Sequence, residues 1–178
     1  MKKLNLMIIG LISCFCSIAQ QKLVNDIVNI NLPKGAEKIT NDQLQNFMKG
    51  KTGYFQKYRI KSKGDIYRLK GMIIQLNAFH KSPSQTLEDT KKSIDWMTHM
   101  DGQKTPSDYT SEIKNINNYK VLITHYAAQD YASFHFYSVN NTNTAILNGS
   151  LEYDKTDKNN KDKAEKALEQ MLKSMTFK

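Results

Sequence analysis

The sequence predicts an α+β domain, an antiparallel sheet of about six strands covered by helices. Three observations lead there. Segments of alternating apolar and polar residues recur at hairpin spacing between Lys120 and Tyr153. Apolar residues recur at helical spacing in two longer segments, Leu87 to Met97 and Ala164 to Met175. The order strand, helix, paired strands, helix, strand meander, helix suits antiparallel neighbours.

The chain opens with Lys2 and Lys3, an apolar run from Leu4 to Ile18, and Ser17-Ile18-Ala19. This is the layout of a secretory signal peptide cleaved after Ala19. The run is shorter and more broken than the about 20 residues of a membrane span. Residues 1–19 are therefore expected to be a leader. Residues 20–178 then form one domain, exported to the periplasm or beyond, with no transmembrane span. Cys14 and Cys16 are the two cysteines, and both fall in the leader. The exported domain is left without disulfide or thiol chemistry and relies on its core. Leu11-Ile12-Ser13-Cys14 also fits a lipobox, which makes a lipid anchor at Cys14 the alternative.

Val24 to Leu32 reads as the first strand, with Val28, Ile30 and Leu32 on its apolar side and Pro33-Lys34-Gly35 ending it. Thr40 and Gln43 form a capping box for a short helix carrying Leu44, Phe47 and Met48. Tyr54 to Lys63 reads as a basic, aromatic strand or extended loop. Ile66 to Phe79 reads as one long extended segment. Met72, Ile74, Leu76 and Ala78 share one of its faces, and Ile73 and Phe79 the other, so both faces are expected to be covered. Ser82-Pro83-Ser84-Gln85 supplies a cap, a first-turn proline and a glutamine for the second helix. Leu87, Ile94 and Met97 form its apolar stripe. Trp96, the only tryptophan, lies off that stripe and either caps a groove or completes a second packed face. Tyr109 to Ile116, Lys120 to Ala127, Tyr131 to Val139 and Thr144 to Tyr153 read as strands. Ala164, Ala167, Leu168, Met171, Leu172 and Met175 mark the last helix.

Ile30-Asn31-Leu32-Pro33-Lys34-Gly35, the single central helix, Gly149-Ser150-Leu151-Glu152-Tyr153 and the closing Ser174-Met175-Thr176-Phe177 carry a resemblance. In element order they are similar to the α/β/α sandwich of the PsbP-like proteins, which include DcrB-like bacterial envelope proteins. The resemblance implies that fold over nearly all of residues 20–178, and a role in binding or assembling with other proteins. It carries no site residues over.

Catalytic motifs are not met. Gly50-Lys51-Thr52 has Gln45 where a P-loop needs glycine. Gly149-Ser150 does not continue into a nucleophile elbow. Asp154, Asp157 and Asp162 fail the calcium-loop spacing and lie among lysines. His80, His99, His125 and His135 include no zinc-helix pair. A turn centred on Gln129 puts His125 opposite Ser133, diagonal to His135 on the same sheet face. No carboxylate is placed beside them, so they are read as covered or packed histidines. No catalytic residue, metal or cofactor is assigned.

The formal net charge is +9. A basic exported protein favours anionic glycan, lipid or an acidic partner face over nucleic acid. The charge is densest at Lys57, Arg59, Lys61, Lys63, Arg68 and Lys70. Lys57, Arg59, Lys61 and Lys63 alternate, so on a strand they form one positive ridge. The ridge either docks on an anionic surface or guards a sheet edge from pairing. The expected function is that of an exported, non-catalytic envelope protein that binds or scaffolds another protein or an anionic surface. A small histidine-dependent hydrolase and an inhibitor or immunity-type protein are the alternatives.

Overall fold

A computed structural model describes residues 20–24, 26–48, 64–100, 108–127 and 131–178. Residues 1–19, read above as a leader, and Lys57, Arg59, Lys61 and Lys63 lie outside the described residues. The described chain is an α+β fold. Its strands are β1 (Gln20–Val24), β2 (Val28–Leu32), β3 (Glu37–Ile39), β4 (Asp65–Leu69), β5 (Met72–His80), β6 (Thr110–Ile116), β7 (Tyr119–Ala127), β8 (Tyr131–Val139), β9 (Ala145–Asp154) and β10 (Thr176–Phe177). Its helices are α1 (Asn41–Met48), α2 (Leu87–Met100) and α3 (Asn159–Ser174).

Seven strands form one antiparallel sheet in the order β3-β4-β5-β9-β8-β7-β6, and β1-β2-β10 form a second, three-stranded sheet. The expectation of about six strands therefore understates the sheet, for reasons visible in the turns. The segment from Ile66 to Phe79 is two strands. Lys70 (φ 44°) and Gly71 (φ 85°) fold it back as a tight hairpin, with Leu69 opposite Met72. Asp26 (φ 57°) likewise turns the first segment back, so Gln20 pairs with Leu32. The α2 helix starts at Leu87, later than the serine–proline signal implies. Its cap is Thr86, whose hydroxyl accepts from the Asp89 N–H while the Asp89 carboxylate accepts from the Thr86 N–H and O–H.

Strand register assigns every side chain of the large sheet to a face. One face carries Ile74, Leu76, Leu147, Leu151, Phe134, Phe136 and Val121, all buried with the small sheet's Val28, Ile30 and Leu32. The α3 helix closes this core face with Ala164, Ala167, Leu168, Met171 and Leu172. Gly149 makes room there for the Phe136 ring. A Cβ at 149 would stand 2.4 Å from the Phe136 Cζ and 2.6 Å from the Gln75 carbonyl oxygen. On the other face α1 covers a small cluster of Ile39, Leu44, Ile66 and Ile73. The α2 helix lies over the same face further along, tied by the Tyr109 hydroxyl to Asp95 (2.6 Å). Helices thus lie on both sides of the sheet. No helix among the described residues is long and apolar enough to cross a membrane.

Candidate functional site

The second face of the large sheet is not apolar in its middle. Gln75, Ser150, His135 and Thr124 are register partners in one row across β5, β9, β8 and β7. A second row runs Ile73, Glu152, Ser133 and Tyr126. Glu152, Ser150, Ser133 and Thr124 are all buried. This polar belt exists because β9 alternates Ser150 and Glu152 against Leu151 and Tyr153, and β8 alternates Ser133 and His135 against Phe134 and Phe136.

The Glu152 carboxylate oxygen accepts from the Ser150 hydroxyl (3.2 Å) and, at 3.4 Å, from the Gln75 amide. Burial pushes its carboxyl up to about 8, against the pull of the Ser150 hydrogen bond. The acid is therefore mostly protonated at neutral pH. His135 stacks on Tyr126 with ring centroids 5.6 Å apart. Burial lowers it to about 4, so the ring is uncharged. The belt thus holds an acid and a base side by side, both neutral at pH 7.

The structure corrects the pairing of the two histidines. His125 stands opposite Phe134, and Ser133 stands opposite Tyr126. That register is one residue away from a turn centred on Gln129, and a one-residue slip moves a side chain to the other face. His125 therefore lies on the core face, and His135 in the belt. Both nitrogens of His125 are engaged: Nδ1 with the Asp108 carbonyl (3.0 Å) and Nε2 with the Tyr153 hydroxyl (2.8 Å). Its ring stacks with Tyr153 and touches Phe134, with centroids 6.2 and 4.5 Å apart. Burial lowers the His125 pKa, the Asp108 carbonyl acting the other way. Nor is His135 without a carboxyl neighbour, since Glu152 sits diagonal to it across β8 and β9. Ser150-x-Glu152 on a strand covered on both faces was the signal for it.

Of the basic stretch, Arg68 and Lys70 are described. Arg68 reaches Glu37 across β3 and β4 (3.0 Å), and Lys70 is an exposed residue of the hairpin turn. Among the described residues, α2 carries the two most exposed large apolar side chains. Trp96 is 63% exposed and Met97 57%. Met97 thus leaves the stripe expected of it, and Trp96 completes no packed layer among the described residues. A cleft of about 160 Å³ opens between the first turn of α2 and the sheet, walled by Phe79, Leu87, Tyr137, Val139 and Ile146 with Asn148 beside them.

No protein-family model matches the chain, and no curated protein matches it. Among solved structures it is similar to a protein of Bacteroides thetaiotaomicron. The TM-score is 0.55 at 9% identity, over 90% of this chain and 49% of that one. This chain spans about half the length of that neighbour. The likeness is one of fold.

Proposed function

We propose that this chain is an exported, non-catalytic binding domain that engages another protein of the cell envelope. The observation that carries the reading is the outward face of α2. Trp96 and Met97 stand in solvent while the sheet beneath is covered. Tryptophan and methionine are the side chains that protein interfaces favour. The state of the acid–base groups supports the same reading over the hydrolase. His125 spends both nitrogens on internal partners, Glu152 is buried, and desolvation keeps both His135 and Glu152 neutral. Helices on both faces of an antiparallel sheet support a PsbP-like sandwich, whose members bind or assemble with other proteins.

The test is native mass spectrometry of the protein purified from its own envelope fraction, wild type beside a Trp96→Ser/Met97→Ser variant. Wild type should appear in a larger complex, and the variant as a bare chain beginning at Gln20. A bare wild-type chain would remove the reading. A complex lost on charge reversal of Lys57, Arg59 and Lys61, but kept by the α2 variant, would move the contact to the basic ridge and an anionic surface.

A further inference from the structure

We propose that β6 pairs antiparallel with β6 of a second copy of this chain, about a two-fold axis through Ile113. The strand forms one end of the large sheet, with β7 as its neighbour, and spans seven residues; the opposite edge, β3, spans three. Its hydrogen-bonding phase is fixed by its hairpin. Ile116 faces Tyr119 across Asn117 (φ 49°) and Asn118 (φ 65°), the two-residue turn with positive φ at both centres. Such a turn closes on a hydrogen-bonded pair, so Ile116, Lys114, Glu112 and Thr110 direct their backbone groups to β7. The N–H and C=O of Ser111, Ile113 and Asn115 then point away from the sheet. Among the described residues no strand lies beyond them.

A second β6 placed about Ile113 meets this edge in phase. Ile113 faces its own copy as a hydrogen-bonded pair, and Ser111 faces Asn115. The flanking positions become non-hydrogen-bonded pairs, where side chains approach most closely. Those positions bring Glu112 against Lys114 of the second copy, twice by symmetry. Both side chains are exposed and within reach of each other in the single chain. Axes through Ser111 or Asn115 keep the same phase but lose both charge pairs. An edge lysine alone repels a like strand. A glutamate and a lysine disposed evenly about Ile113 instead admit a second copy.

Sedimentation equilibrium of the protein over micromolar to roughly 0.1 mM concentrations tests this, that range being where a small interface dissociates. Wild type should show a monomer–dimer equilibrium. Lys114→Glu should weaken it on the order of tenfold by opposing like charges twice. The exchanged pair Glu112→Lys/Lys114→Glu should restore it. Ile113→Pro should abolish it while circular dichroism stays native, because the lost N–H faces away from β7. A wild-type monomer across the range, or a dimer indifferent to Lys114→Glu, would overturn the proposal. So would an exchanged pair that fails to recover.

Discussion

The two faces of the large sheet come from the same strands and obey different rules. On the core face Leu76, Leu147, Leu151, Phe134 and Phe136 pack with α3 and the small sheet as an apolar cluster, beside which His125 and Ser138 are buried with hydrogen-bonded partners. On the belt face the same strands bury Ser133, Ser150 and Glu152. The core face gains free energy in proportion to the apolar area it hides. The belt hides groups that water would solvate better, and it holds them only with hydrogen bonds and by keeping them uncharged. Alternation along these strands therefore separates two kinds of interior rather than inside from outside. The core face carries most of the apolar burial, and the belt face holds Glu152 and His135, whose ionisation ties stability to pH.

The largest effect should come from the core face. Phe136 is fully buried over Gly149. Phe136→Ala removes the ring and leaves a cavity whose floor has no side chain to relax into it. The loss should be about 3–5 kcal/mol, read from urea denaturation. Ser133→Ala on the belt face of the same strand should cost much less, since it leaves the apolar packing in place. Equal losses at the two positions would show that the faces do not divide the work this way.

The core face was the legible part of this molecule. Val28, Ile30, Leu32, Leu76 and the stripe from Ala164 to Met175 declare themselves by period, because apolar burial leaves a repeating signature. The belt was hidden because its residues look like a solvated strand face; only the cover makes Glu152 and His135 unusual. Hairpins hid for a different reason. Lys70-Gly71 and Asp26 are short turns inside segments whose apolar residues resume at once on either side, so the hairpins read as single strands. The histidine error was one of register, which a one-residue difference in turn length decides.

Acidity should probe the buried titratable groups next. The carboxyl of Glu152 is raised to about 8, so the folded state keeps a proton that the unfolded chain gives up above its ordinary carboxyl value, 4.5. Its contribution is complete below that ordinary value and is lost as pH rises towards 8. His135 runs the other way. Its folded value falls to about 4 from 6.5, so its contribution is present above 6.5 and lost as pH falls towards 4. His125 is also lowered and adds in the same direction as His135. The opposed slopes overlap in mildly acidic solution, and above 6.5 the Glu152 slope stands alone. Wild-type melting temperature should therefore decline from pH 6.5 to 8. Glu152→Gln, which keeps shape and cannot ionise, should flatten that decline and leave a rise through mildly acidic pH. His135→Gln should extend the decline to lower pH. A Glu152→Gln profile parallel to wild type would sink this account of the belt.

The smallest effect lies where the belt face returns to apolar packing, beneath α1. The Thr40 hydroxyl accepts from the Gln43 N–H (3.2 Å), and the Gln43 side chain accepts from the Thr40 N–H (2.8 Å). This reciprocal cap fixes the first turn of an eight-residue helix that is too short to hold itself. Leu44 is its buried anchor among the described side chains, on Ile39, Ile66 and Ile73. Thr40→Ala should cost about 1 kcal/mol. The loss should be local, because Leu44 packs in a cluster separate from the main core cluster. Hydrogen exchange should show α1 amides opening several-fold faster while β8 and β9 amides keep their protection. Equal acceleration at β8 and β9 would mean that α1 unfolds only with the whole sheet, and that this end of the belt face belongs energetically to the core.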